Sequence, residues 1–261
     1  MLIVADNLRI TNEAIARAIK QMDAAPIQEM AKRCQLAGAD AIDINCGPLT
    51  KNAKKHAAFL VEAVEAACDL PLLLDTVNPK AIAAGLAVAQ KPAIINGFSM
   101  ESGKLAHILP LAKRYDADII GYLLDSKSRV PTSTSEALSL AVTLYAEFTK
   151  VGIDHRHLII DPVVAPLMWD NGLTHNRALL DVIRTLPELL GFKVRTIAGL
   201  SNLTSGQAQR SKKRLLQASY LPMLAASGLD LVMMDVLDQE MVKTAKTCRT
   251  LVAGEIFSWA I

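Results

Sequence analysis

Apolar residues in this chain fall into short runs that each end abruptly in a polar group. Leu70-Pro71-Leu72-Leu73-Leu74 stops at Asp75-Thr76, and Ala93-Ile94-Ile95 stops at Asn96. Leu158-Ile159-Ile160 stops at Asp161, and Thr196-Ile197-Ala198-Gly199-Leu200 runs to Ser201-Asn202. Upstream, Ala41-Ile42 leads to Asp43, Ile44 and Asn45. Apolar runs this short, bounded by turn residues, read as buried strands. The full pattern predicts strands over residues 2–5, 40–44, 71–74, 93–95, 118–123, 157–160, 194–198 and 229–233.

Helical periodicity fills the gaps. One helix carries Ile15 and Ile19 behind Thr11 or Asn12 as its cap, and a second covers 25–36 and stops at Gly38. Others are predicted over 54–67, after Asn78-Pro79, and over 99–115, 134–150 and 176–189. The last two follow the loop 202–210, one running to Ala226 and one over 238–253. Eight strand–helix units without a Pro/Gly/Ser-rich linker predict one domain, an α/β fold of the (β/α)8 TIM-barrel type. The length of 261 residues suits it, since such barrels need about 250. In that architecture the polar strand ends converge on the C-terminal mouth, where barrel enzymes keep their active sites.

Composition narrows the chemistry. Lys plus Arg (28) nearly equals Asp plus Glu (26), which gives no strong field for nucleic acid or an acidic membrane. Only 4% of residues are aromatic, too few for a base-stacking surface. No apolar run is long enough for a membrane span, and the start Met1-Leu2-Ile3-Val4-Ala5-Asp6 lacks the basic region of a signal peptide. Cys34, Cys46, Cys68 and Cys248 show no zinc-like spacing, and scattered reduced thiols fit a cytoplasmic protein. His155 and His157 would alternate across a strand start, without a carboxylate at ligand spacing, so no metal site is expected.

Taken singly, Asp75 and Asp161 can cap helices, Asn45, Asn96, Ser201 and Asn202 can be turn residues, and Asp43 is as readily a structural acceptor. The ordered set points to a site. Carboxylates accept hydrogen bonds while amides both donate and accept, which suits a flat heterocycle with an exocyclic amine and an adjacent ring N–H. Gly199 and Gly206 make no dinucleotide fingerprint or P-loop, and Ser201 lacks the glycines of a nucleophile elbow.

The stretches Asp43-Ile44-Asn45, Leu74-Asp75-Thr76, Ile95-Asn96-Gly97, Ile160-Asp161-Pro162 and Gly199-Leu200-Ser201-Asn202 together resemble the pterin-binding barrel family. Within it, the whole chain resembles the corrinoid-dependent methyltetrahydrofolate methyltransferases. The resemblance implies that Asp161 takes the exocyclic amine and ring N–H of the pterin. It implies that Asp75 and Asn96 bind the opposite edge, and that Asn202 approaches N5, which carries the methyl group. Ser201 would orient Asn202 or touch the ring, Asp43 and Asn45 would support the mouth, and Arg210 would lie over the pterin or near the folate tail.

The implied reaction moves a methyl group between tetrahydrofolate (or 5-methyltetrahydrofolate) and cobalamin, in either direction, in one-carbon metabolism such as O-demethylation or the acetyl-CoA pathway. The chain has no Asp-x-His-x-x-Gly cobalamin motif, so a separate corrinoid protein would carry the cobalamin, and the resemblance also implies a homodimer. No acid adjoins Asn202 in sequence, so Asn202 itself is expected to stabilise N5 as it gains a proton. Strand one reads Ala5-Asp6-Asn7-Leu8-Arg9 where relatives carry a Gly-Glu-Arg-like start, and Asp6 and Asn7 read as structural.

Two alternatives stand beside this reading. A dihydropteroate synthase would carry an Arg-rich loop after strand two and a lysine near N5, where this chain has Asn45-Cys46-Gly47-Pro48 and Asn202. A non-catalytic pterin-binding or corrinoid-docking protein would bind without turnover. The basic run Arg210, Lys212, Lys213, Arg214 is either a solvated helix face or a local attraction for a polyglutamate tail or an acidic corrinoid protein. The Trp169 loop is either a lid or partner contact, or a buried anchor.

Overall fold

A computed structural model of the chain describes residues 1–47, 49, 51–207 and 209–253. Pro48, singled out in the loop after the second strand, lies outside them. Eight parallel strands close in sequence order into a barrel: β1 (Leu2–Arg9), β2 (Ala41–Asn45), β3 (Leu72–Asp75), β4 (Ala93–Phe98), β5 (Asp118–Tyr122), β6 (Leu158–Asp161), β7 (Arg195–Gly199) and β8 (Leu231–Met234), with β8 returning to β1.

Alternation along each strand sorts side chains into two cores. Val4, Ala41, Leu73, Ile94, Ile120, Ile159, Ile197 and Leu231 pack together inside the barrel. Their neighbours Ile3, Ile42, Leu72, Ile95, Ile119, Ile160, Ala198 and Val232 belong to the larger core between strands and helices. One inward step further along, the apolar layer gives way to Asp6, Asp43, Asp75, Asn96, Tyr122, Asp161, Gly199 and Met233. The fold thus turns a period of two into an apolar floor and a polar mouth.

The helices ring the barrel as α1 (Glu13–Gln21), α2 (Ala24–Ala37), α3 (Ala53–Glu65), α4 (Pro79–Val88), α5 (Ser102–His107), α6 (Leu109–Tyr115), α7 (Thr134–Lys150), α8 (Gly172–Leu190), α9 (Arg210–Ala226) and α10 (Gln239–Ala253). Asn12, not Thr11, caps α1 through the Ala14 amide, and Gly38 ends α2 at φ 99°. Asn78 caps α4 with Pro79 in its first turn.

Four expectations change. The helix predicted over 99–115 is two, broken at Ile108, because Pro110 has no N–H to return to the preceding turn. Strand one continues past residue 5 to Arg9, and its ladder to β2 shifts between Ala5 and Leu8, so Asp6 and Asn7 occupy a bulge. Helix α8 starts about a turn before Asn176, whose amide instead binds the Ala165 backbone and the Gly172 carbonyl. Residues His155–His157 form a 3-10 turn before β6 rather than its start, and His157 faces Asp118 at 3.1 Å.

Among the described residues no helix is long and apolar enough to cross a membrane, and no group of three or more His, Cys, Asp or Glu is placed to hold a metal. All four cysteines are buried and free.

The two-core packing has a direct stability test. Ile159 is fully buried inside the barrel, so Ile159→Ala should lower the unfolding free energy by about 2–5 kcal/mol in urea titrations. Leu215 on α9 is 68% exposed, and Leu215→Ala should change it by no more than about 0.5 kcal/mol. Equal losses at the two sites would contradict this packing.

Candidate active site

The mouth is built from strand ends that are register partners. Asn45 pairs with Asp75 across β2 and β3, Asp75 with Asn96 across β3 and β4, and Tyr122 with Asp161 across β5 and β6. Side chains then link along the rim. Asn45 Nδ2 donates to Asp75 Oδ2 at 2.5 Å, and Asn96 Nδ2 donates to Asp43 Oδ1 at 3.1 Å. The Tyr122 hydroxyl donates to Asn96 Oδ1. These two contacts fix the Asn96 amide, oxygen toward Tyr122 and nitrogen toward Asp43, and leave it one N–H to spare.

Asp161 is held from its own loop. The Val163 amide donates to Asp161 Oδ1 at 2.7 Å, with Val163 in the left-handed region at φ 63°. A β-branched residue there is strained, and such strain gathers at functional sites. The same loop is tied to the one after β5, because the His175 ring nitrogens lie 3.0 Å from the Pro131 carbonyl and 2.7 Å from that of Val163. Among the described residues, no hydrogen bond engages Asp75 Oδ1 or Asp161 Oδ2.

On the opposite rim, β7 ends in Gly199 and a short 3-10 turn, Leu200–Thr204. A Cβ at Gly199 would lie 3.1 Å from Asn202 Nδ2, so glycine at this inward position leaves room for the Asn202 amide. Asn202 and Ser201 line a cavity of about 380 Å³ with Arg9, Arg210, Lys213 and Asp235. Arg214 is there too, paired with Asp238 at 3.1 Å. Ser201 Oγ donates to Asp6 Oδ2 at 2.5 Å. A second cavity, of about 580 Å³, opens at the other end of the barrel around Asp118, Arg195 and Asp230, away from every mouth residue.

Burial dominates the electrostatics. It pushes the Asp161 carboxyl up to about 7, against the pull of the Val163 amide, and Asp75 up to about 6, against the attraction of Lys104. Asp43 is raised well above the usual carboxylate range by burial and then by the neighbouring Asp75 charge, with the Asn96 amide opposing. Tyr122 is raised by burial and by Asp75, Asp161 and Asp43 around it, so it remains a hydroxyl donor.

The structure therefore brings Asp43, Asn45, Asp75 and Asn96 together on neighbouring strands in two hydrogen-bonded groups, with Asp161 opposite Tyr122 across β5 and β6. Ser201, Asn202 and Arg210 share the cavity on the facing side. Tyr122 was missed by sequence reasoning, although it stands two residues beyond Ile120, as Asp75 does beyond Leu73. Asn7 is structural, as expected: its amide joins Asp235 Oδ1 at 2.6 Å and the Val236 amide at 3.0 Å. Asp6 instead sits inside the mouth. Trp169 is 55% exposed, which removes the buried-anchor reading.

A family model described as "Pterin binding enzyme" matches residues 8–235. A methylcorrinoid:tetrahydrofolate methyltransferase of Eubacterium limosum is 24% identical over 246 residues, covering 93% of this chain and 88% of that protein. Among solved structures, the Yersinia pestis dihydropteroate synthase superposes with TM-score 0.67 at 17% identity, covering 97% of this chain and 92% of that one. A Coxiella burnetii dihydropteroate synthase in complex with pteroic acid gives TM-score 0.67 at 14% identity, over 97% and 94%. At those identities the structural likeness shows the barrel fold.

The raised carboxyls make stability pH-dependent. Between the unfolded value near 3.8 and the folded values of about 6 and about 7, the native state holds protons the unfolded chain has released. Unfolding free energy should therefore fall as pH rises from about 4 to about 7. In urea titrations at several pH values, Asp161→Asn should flatten the upper part of that fall. An unchanged slope in the variant would contradict the assignment to Asp161.

Proposed function

Because the chain belongs to the pterin-binding enzyme family, we propose that it is a methyltransferase joining tetrahydrofolate chemistry to a corrinoid protein, and that it moves the methyl group from the methylcorrinoid to N5 of tetrahydrofolate. The observation that carries this reading is the mouth itself. Asp161 and Asp75 each keep a carboxylate oxygen uncommitted among the described residues, Asn96 keeps a spare N–H, and the facing rim offers a neutral amide, Asn202. The name and near full-length coverage of the E. limosum relative support the same reaction and direction.

In this reading Asp161 takes the forked pair formed by the pterin's exocyclic amine and ring N–H. A site built around that pair rejects analogues lacking it, since the carboxylate would then be buried unpaired. Asp75 and Asn96 hold the opposite edge, with Asn45, Asp43 and Tyr122 fixing their orientation. Asn202 positions N5, and Arg210 with Lys213 lies where an anionic folate tail would leave the mouth. The methylcorrinoid is a second substrate, delivered by its own protein over the mouth. Exposed Met168, Trp169 and Leu173, beyond β6, supply an apolar docking rim. We further propose a homodimer working in the cytoplasm, where the four free, buried cysteines stay reduced.

The test is anaerobic methyl transfer from methylcobalamin to tetrahydrofolate. Asn202→Ala should cut kcat on the order of 10²-fold, as loss of one preorganised polar contact does. Asp161→Asn should weaken tetrahydrofolate binding by about 10- to 100-fold, the worth of a charge-assisted hydrogen bond. Turnover untouched by Asn202→Ala would remove its assigned role. Condensation of a dihydropterin pyrophosphate with p-aminobenzoate, with no methyl transfer, would replace the whole reading by a synthase.

A further inference from the structure

We propose that Asp6, acting through the Ser201 hydroxyl, receives the proton that N5 of tetrahydrofolate must lose when it is methylated. The inference rests on the methyl-transfer reading above and adds to it the proton acceptor that no residue next to Asn202 in sequence supplies.

Geometry points to this pair. Ser201 Oγ donates to Asp6 Oδ2 at 2.5 Å, while Ser201 also lines the cavity beside Asn202. One side chain thus faces both the place assigned to N5 and a buried carboxylate. Asp6 is 9% exposed, and its other oxygen, Oδ1, is a buried side-chain polar atom with no hydrogen-bond partner among the described residues. Carboxylates can accept about four hydrogen bonds. One that is buried with a single donor is poorly stabilised as an anion, and unsatisfied buried polar atoms are rare unless they serve a function.

The groups around Asp6 reinforce its hold on a proton. The Arg9 guanidinium lies 3.6 Å from Oδ2 but is 43% exposed, so water screens its attraction. Asp235 at the end of β8 and Asp43 on β2 are both acidic neighbours, and Cys34 on α2 feels the same charge. Asp235 is itself committed, accepting from Asn7 and from the Leu237 amide. Burial raises Asp6 above the usual carboxylate range, opposed by Ser201 and Arg9.

The step balances. The N5 lone pair forms the bond to the methyl carbon, and the methyl–cobalt bond breaks with both electrons left on cobalt, which goes from Co(III) to Co(I). N5 then carries a methyl, a hydrogen and a positive charge. Its N–H bond breaks and returns the electron pair to nitrogen. Ser201 Oγ takes that proton as its own passes to Asp6, which ends as a neutral acid. A cation and a buried anion are both neutralised, which low dielectric favours. Asp6 touches Ser201 rather than substrate, so it is a positioning residue for the proton.

The test compares wild type, Asp6→Asn, Asp6→Glu and Ser201→Ala in anaerobic methylation of tetrahydrofolate by methylcobalamin across pH 5–8. Asparagine keeps the shape of Asp6 and can hydrogen-bond Ser201 but cannot take a proton. We expect Asp6→Asn to lower kcat at least tenfold, with KM and Kd for tetrahydrofolate within twofold and the acidic limb of kcat lost. Asp6→Glu should recover activity with that limb displaced. Ser201→Ala should match Asp6→Asn, and the double variant should be no slower than either single one. A kcat within twofold of wild type in Asp6→Asn, a loss confined to KM, or single effects that multiply would overturn the proposal and leave the methyl-transfer reading intact. Should Asp6→Asn fail to fold by circular dichroism, Ser201→Ala decides by the same criteria. Wild type that binds tetrahydrofolate yet never methylates it overturns both.

Discussion

A strand in a closed barrel has one inward position every second residue, and it must use that position for two incompatible purposes. Deep in the barrel it has to be apolar, because Val4, Leu73, Ile94, Ile120, Ile159 and Ile197 are buried there and pack against one another. Two residues later it has to be polar, because the barrel ends there. The change from Leu73 to Asp75, from Ile94 to Asn96 and from Ile159 to Asp161 therefore happens within a single pleat. A register slip of one residue would turn the inward acids toward the helix-facing core and the helix-facing apolar residues into the barrel. The hydrogen-bonded ladder and the site are the same constraint seen at two heights.

Several carboxylates in one buried ring repel each other and resist ionisation, so the mouth needs compensation. It comes from neutral donors placed beside the acids: Asn45 for Asp75, Asn96 for Asp43, the Val163 amide for Asp161 and Ser201 for Asp6. Among the described residues, Asp43, Asp75 and Asp161 receive a donor without a paired counter-charge, while Asp6 also has the partly exposed Arg9 guanidinium at 3.6 Å. A lysine or arginine in those places would hold the carboxylates ionised and occupy the lone pairs a ligand needs. Amide and hydroxyl partners instead leave burial dominant, with Asp75 raised to about 6 and Asp161 to about 7. That arrangement costs native stability once the pH rises past the carboxyls' unfolded value.

Much of this was legible from the runs of apolar residues and the polar group that ends each one. They gave the eight strands, the direction of the barrel and the residues at its mouth, because parity and burial leave a strong mark on sequence. Features set by partners distant in sequence left less. Tyr122 lies at the end of a strand with no acidic terminus to draw the eye, and its role as a donor to Asn96 needs the β4–β5 neighbours to be known. The strained Val163 loop left no signal, since valine is an ordinary residue after Asp161-Pro162. The break at Ile108 was legible and missed, because Pro110 announces it.

The least legible feature is the one that depends on closure. Asp6 and Ser201 are 195 residues apart, on the first strand and just after the seventh. They meet only because β8 pairs with β1 and draws the turn after β7 around to the bulge at Asp6. The same closure brings Asn7 to Asp235 across 228 residues. An open sheet with the identical strands would keep the Asp75–Asn96 side of the mouth intact, since those neighbours are consecutive. It would separate Ser201 from Asp6 entirely. The barrel thus divides its mouth by topology: consecutive strands supply the Asp75–Asn96 side, and the seam where the last strands meet the first joins a buried acid to Ser201. A sequence read in order finds the first half readily, whereas the second exists only once the ring is shut.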